Sequence, residues 1–128
     1  MRASYRDEAR VEHMHRAIRQ IRRHFSEVEA AAFQEGNDDV ELILYHLILL
    51  DEAASNISAE YADAHPSVDF RDMAGLRHKL VHDYANIDLA RIWQILLQDF
   101  TGWETSVSEL AKTITPIEGL PPNVADFD

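Results

Sequence analysis

The sequence predicts an all-α fold, a mainly antiparallel bundle of four long helices, and three observations predict it. Apolar residues recur in alternating steps of three and four along most of the chain. The strongest breaks, at Gly36, His65-Pro66-Ser67 and Thr115-Pro116, fall between those periodic stretches. No segment alternates apolar and polar residues as a half-buried strand does.

The first helix takes Val11, Met14, Ile18, Ile21, Phe25, Val28 and Ala32 as its apolar stripe and closes at Gly36. Asp38 with Glu41 forms a capping box for the second, whose stripe is Val40, Ile43, Leu47, Leu50, Ala54, Ile57 and Tyr61. Leu42, Ile48 and Leu49 add apolar surface off that stripe, so this helix is either central to the bundle or also lines an oligomer interface. That surplus favours a homodimer. The proline disfavours helix at His65 and marks a turn. The third helix starts near Asp69 and buries Phe70, Met73, Leu76 and Leu80, with Gly75 allowing close helix contact. Asp88 is the N-cap of the fourth, with the stripe Leu89, Trp93, Leu96, Phe100, Trp103, Val107 and Leu110. Residues 1–115 make one helical domain, and 116–128, with Pro121-Pro122, a flexible tail.

At 128 residues and 46% apolar, the chain suits one core rather than two. It has no cysteine, hence no disulfide framework or thiolate metal site, and it opens on an arginine-rich segment rather than an apolar signal core. A cytoplasmic protein without a membrane span fits this pattern. The net charge of −11 at first argues against nucleic acid, but it is unevenly spread. Residues 1–23 hold seven arginines against three acids, and 71–91 hold four basic residues against three acids. Residues 24–70 hold eleven acids and no Lys or Arg. The first helix and the 71–91 segment are therefore the candidate phosphate face, although arginines on one helix can equally be a solvated surface.

Within 71–88, RDMAGLRHKLVHDYANID, stand a fixed cation, a group that titrates near neutral pH and a phenol: Arg77, His82 and Tyr84. On an unbroken helix Arg77 and His82 point about 140° apart, while Arg77 and Tyr84 nearly coincide. The pair converges on one substrate if the helix ends near His82 or if a second copy supplies one group. His78 and His82, four apart, are a weak two-ligand metal pattern with no evident third ligand, so no metal or other cofactor is expected. The remaining histidines read as surface or packing residues, and Trp93, Phe100 and Trp103 as core.

The pattern Arg77-x4-His82-x-Tyr84, preceded by HPSVDFRDMAGL and followed by NIDLARIWQIL, resembles the HepT-like branch of the HEPN superfamily. The resemblance is good from about Val40 to Leu97, including LLDEAASNISAEY, and looser over the first helix. It implies a dimeric toxin that cuts RNA without metal and is encoded beside an MntA-like minimal nucleotidyltransferase, the antitoxin, which transfers AMP to the motif tyrosine. Arg77 and His82 become catalytic, His78 aligns the site, and Tyr84 accepts AMP. Asp51 departs from the family, standing where a small glycine is expected, and Phe70 stands where tryptophan is common.

In such a reaction the RNA 2′-hydroxyl attacks the adjacent phosphorus and leaves a 2′,3′-cyclic phosphate. His82 would move the proton and Arg77 would hold the phosphoryl oxygens through its planar fork. On spacing alone the pair reads as structural, and the resemblance reverses that. Tyr84 can likewise be explained by packing, but an AMP on it would set a phosphate beside Arg77 and block RNA. A second reading is a non-catalytic nucleotide-binding or adaptor subunit that docks the nucleotidyltransferase, and a third is a plain helical interaction protein.

Overall fold

The structure, a computed structural model, describes residues 2–83 and 86–114, with side chains from residue 6 onward. It is an all-α bundle, with one small hairpin between the third and fourth expected helices. The elements are α1 (Arg2–Phe25), α2 (Asp38–Ser55), α3 (Ala59–Ala64), α4 (Phe70–Met73), α5 (Leu76–Leu80), β1 (Val81–Asp83), β2 (Asn86–Ile87), α6 (Leu89–Gln98) and α7 (Phe100–Lys112). The longest packed pair is α1 against α2, with α7 returning along α1 and α4 and α5 lying on α2. No helix among the described residues is long and apolar enough to cross a membrane.

Most residues of the predicted stripes lie in the core. Val11, Met14, Ile18 and Ile21 of α1, Ile43, Leu47 and Leu50 of α2, and Phe100 and Val107 of α7 are all inaccessible or nearly so. Where the chain departs from four long helices, local polar groups explain it. The first helix stops at Phe25, where the Ser26 N–H and hydroxyl both donate to the Arg22 carbonyl, at 3.0 and 2.8 Å. Val28 remains in the core beyond that end, whereas Ala32 is exposed in a short 3-10 turn. Gly36 makes the reversal at φ +89°, a conformation that a Cβ would strain.

The second helix begins at Asp38 as expected, but Asn37, not Asp38, is its cap, accepting from the Val40 N–H at 3.1 Å. Asp38, Asp39 and Glu41 then occupy the first turn, where they complement the helix dipole. This helix ends at Ser55 instead of running to Tyr61, because the Asn56 amide donates to the Glu52 carbonyl at 2.8 Å. A new helix starts at Ala59, capped by Ser58, whose N–H and hydroxyl both donate to the buried Asp7 carboxylate of α1 at 2.8 and 2.7 Å. The third helix is two short pieces divided at Ala74-Gly75, and the fourth is α6 and α7 joined through Asp99. Asp88 caps α6 as expected, accepting from the Arg91 N–H at 3.0 Å. Trp93 is only partly buried, set edge-on against Phe33 and Phe25, whereas Phe100 and Trp103 lie in the core. The expected tail lies outside the described residues.

Two polar ties of different burial test which of these contacts hold the bundle together. Arg22 grips Glu104 of α7 through two bonds of 3.0 and 2.9 Å, with its guanidinium 5.0 Å from the Phe100 ring centre. Both partners remain about a third exposed, so water screens this pair. Asp7→Ala leaves two Ser58 donors without their buried acceptor and is expected to cost about 2–3 kcal/mol. Glu104→Ala is expected to cost about 1 kcal/mol. Urea denaturation of the two variants beside the wild type measures the difference.

Candidate functional site at the α5–hairpin junction

The candidate residues Arg77, His78 and His82 lie where α5 gives way to β1. Leu76 and Leu80, one turn apart, are fully buried and pin α5 to the core, which turns Arg77 and His78 outward. The guanidinium of Arg77 has no hydrogen-bond or ion-pair partner among the described residues. Its backbone N–H does: it donates to Asp51 Oδ2 of α2 at 2.7 Å.

Helix stops at Leu80, so the angle of about 140° between Arg77 and His82 on a continuous helix does not apply. The hairpin that follows was not expected from the sequence, which shows no strand alternation in so short a run. Its register pairs Val81 with Ile87 and Asp83 with Asn86. Two steps on β1 therefore face one on β2, which leaves His82 as the extra residue of a bulge. A bulge lifts a side chain out of the pleat, and the His82 side chain is 52% exposed. The His78–His82 helical spacing is thereby broken, since His82 belongs to the strand. No group of three His, Asp or Glu side chains among the described residues is placed to hold a metal ion.

Asp88 has a part that its reading as a cap did not include. Its N–H donates to the Leu80 carbonyl at 2.9 Å, closing the hairpin onto α5. One carboxylate oxygen caps α6, and the other lies 3.8 Å from His82 Nε2. This proximity is invisible in the sequence until β1 and β2 are known to pair antiparallel. Asp51 was visible only as an odd residue, with nothing to link it to Arg77 across 26 positions. Tyr84, the candidate AMP acceptor, lies outside the described residues.

The other basic segment approaches α2 from a different side. His24 of α1 pairs with Asp39 at 2.9 Å and stacks on the buried His46, while Asp51 reaches α5. At about 100° per residue, Asp39 and His46 lie some 120–140° around α2 from Asp51. Within α1, Arg22 is committed to Glu104, which raises the guanidinium pKa above its usual value through the hydrogen bonds. His15, Arg16 and Arg19 line a cavity with Lys112 and Glu12. Burial, and then the Arg19 charge, lower the His15 pKa against the pull of Glu12.

A family model described as ribonuclease HepT-like matches residues 14–112. A protein of Caldanaerobacter subterraneus subsp. tengcongensis named as a candidate RNase is 31% identical over 66 residues, 52% of this chain and 59% of that one. A probable ribonuclease HepT of Thermococcus cleftensis is 29% identical over 70 residues, 55% of this chain and 64% of its own. A candidate RNase of Methanocaldococcus jannaschii is 30% identical over 81 residues, 63% and 64% of the two chains. The chain thus spans about three fifths of the length of these relatives. No solved structure matches it significantly.

The two jobs of Asp88 can be separated. Asp88→Ser keeps an N-cap but removes the carboxylate beside His82, and stability is expected to hold within about 0.5 kcal/mol. Asp88→Ala loses both and is expected to cost about 1 kcal/mol. Thermal melts of the two variants, followed by circular dichroism, read the difference.

Proposed function

We propose that this chain, which belongs to the HepT-like ribonuclease family of the HEPN superfamily, is an endoribonuclease toxin that cleaves RNA without a metal ion. The observation that carries the reading is the outward placement of Arg77 and His82 on either side of the helix end at Leu80, within the segment matched by the family model. The names of its relatives point the same way.

In this reading Arg77 donates two parallel hydrogen bonds to the phosphoryl oxygens and offsets the charge that builds on them. His82 takes the proton from the 2′-hydroxyl, with the Asp88 carboxylate 3.8 Å from its Nε2. The oxygen attacks phosphorus, the 5′-oxygen leaves with a proton, and a 2′,3′-cyclic phosphate remains. One imidazole cannot serve as base and acid on opposite sides of the same phosphorus, so a second copy supplies the other. Apolar surface suited to such a homodimer is present: Tyr45 of α2 is exposed beside the partly buried Leu42, Ile48 and Leu49. His78, exposed one residue past Arg77, helps align the site in this reading.

Neutralisation follows from Tyr84, two residues past His82. An MntA-like nucleotidyltransferase that adds AMP there brings a phosphate to the subsite Arg77 needs for RNA. The large acidic excess outside α1 and the motif gives some support to a second reading, an adaptor that binds nucleotide or docks the nucleotidyltransferase without turnover.

Purified unmodified protein incubated with mixed RNA in EDTA is expected to yield cyclic-phosphate ends. Arg77→Ala and His82→Ala are each expected to cut at least about 100-fold more slowly while keeping the fold. An inactive wild type of verified mass and dimeric state would favour the adaptor. Co-expression with the nucleotidyltransferase is expected to add AMP mass to the wild type and none to Tyr84→Phe, as read by intact-protein mass spectrometry.

A further inference from the structure

We infer that Asp51 is a positioning residue for Arg77, a carboxylate lent by α2 as the cap that α5 lacks. The inference rests on the reading of Arg77 as the cation that holds phosphate. With five residues, α5 spans only about 7.5 Å, far short of the roughly 12–15 residues an isolated helix needs. Its first N–H groups have no partners inside the helix. Its own N-cap is Gly75, which has no side chain to offer.

Asp51 supplies the missing acceptor from another helix. Its Oδ2 receives the Arg77 N–H at 2.7 Å, a short bond of the kind a charged acceptor makes. The carboxylate is itself held, because Ser55, one turn further along α2, donates its hydroxyl to Oδ1 at 2.8 Å. The base beneath it is stiff, with Leu47 and Leu50 of α2 fully buried. Two constraints thus locate α5: Leu76 and Leu80 fix its depth in the core, and Asp51 fixes its rotation and height.

This matters at Arg77 because its guanidinium has no partner among the described residues, and the position of its backbone sets where the fork begins. Asp51 acts through that backbone and touches no substrate.

Asp51→Ala and Asp51→Asn in the full chain decide the matter. Asparagine keeps an oxygen for the Arg77 N–H and turns its amide toward Ser55, whose hydroxyl has the Ala74 carbonyl at 3.3 Å as an alternative acceptor. Asp51→Ala is expected to speed hydrogen exchange at the Arg77 amide about tenfold and to lower kcat for RNA cleavage about tenfold, with KM within twofold. Asp51→Asn is expected to restore both. Unchanged exchange at Arg77 in Asp51→Ala would overturn the inference, as would faster exchange with unchanged kcat. Faster cleavage by both variants would also overturn it, marking a carboxylate that merely repels phosphate. If the wild type cleaves no RNA, the ribonuclease reading fails separately, and the Arg77 amide still shows whether Asp51 holds this segment.

Discussion

Burial of α2 from two directions is the constraint on which the rest of the structure depends. Most amphipathic helices present one apolar stripe, but here α1 docks on one side of α2 and the α4–α5 segment on another, some 120–140° around the axis. That double contact explains why apolar residues spill off its main stripe. It also explains how a fully buried histidine, His46, is accommodated, stacked on His24 at the α1 side. Because α2 is a long helix with a closed core beneath it, side chains that leave it laterally can serve as fixed points for shorter elements.

Those shorter elements need such points. The helices α3, α4 and α5 have six, four and five residues, and none is long enough to be stable by its own hydrogen bonds. Each is tied by a carboxylate. Asp7 of α1 holds Ser58 at the start of α3, Asp69 caps α4 by accepting from the Asp72 N–H, and Asp51 caps α5. Asp72 in turn takes the Trp103 indole N–H at 3.2 Å and lies 3.4 Å from Lys79, joining α4 to α7 and α5. Part of the acidic excess that opposes a nucleic-acid partner is therefore committed inside the fold. The remaining charge still matters at long range, and it sets the arginines of α1 and the motif apart as the basic regions of the chain.

The hairpin links this architecture to chemistry. A helix that ran on from Leu80 would send Arg77 and His82 in divergent directions. Ending it there, and placing an extra residue in β1, frees His82 from helical periodicity and exposes it beside Asp88. Asp88 then serves three neighbours at once, the Leu80 carbonyl, the first turn of α6 and the His82 ring. Site geometry and fold stability are coupled through this one residue.

The sequence by itself determined the fold class, the composition of the core and the segment bearing the candidate site. Apolar spacing of three and four encodes helix and core face together, which is why Val11, Met14, Ile18, Leu47, Leu76 and Phe100 could be assigned inward without coordinates. The Asp88 cap was likewise legible from a local capping pattern, and Arg77 and His82 could be singled out as candidates because a cation and a group titrating near neutral pH stand close together there. Only the tertiary structure decided where the helices break and what the site residues touch. Interruptions at Asn56 and Gly75 depend on a single hydrogen bond or on a missing side chain, too slight to disturb a periodic stripe. Contacts from Asp51 to Arg77 and from Asp88 to His82 exist only once α2 meets α5 and the chain turns back, since no local pattern encodes a bond between residues brought together by packing.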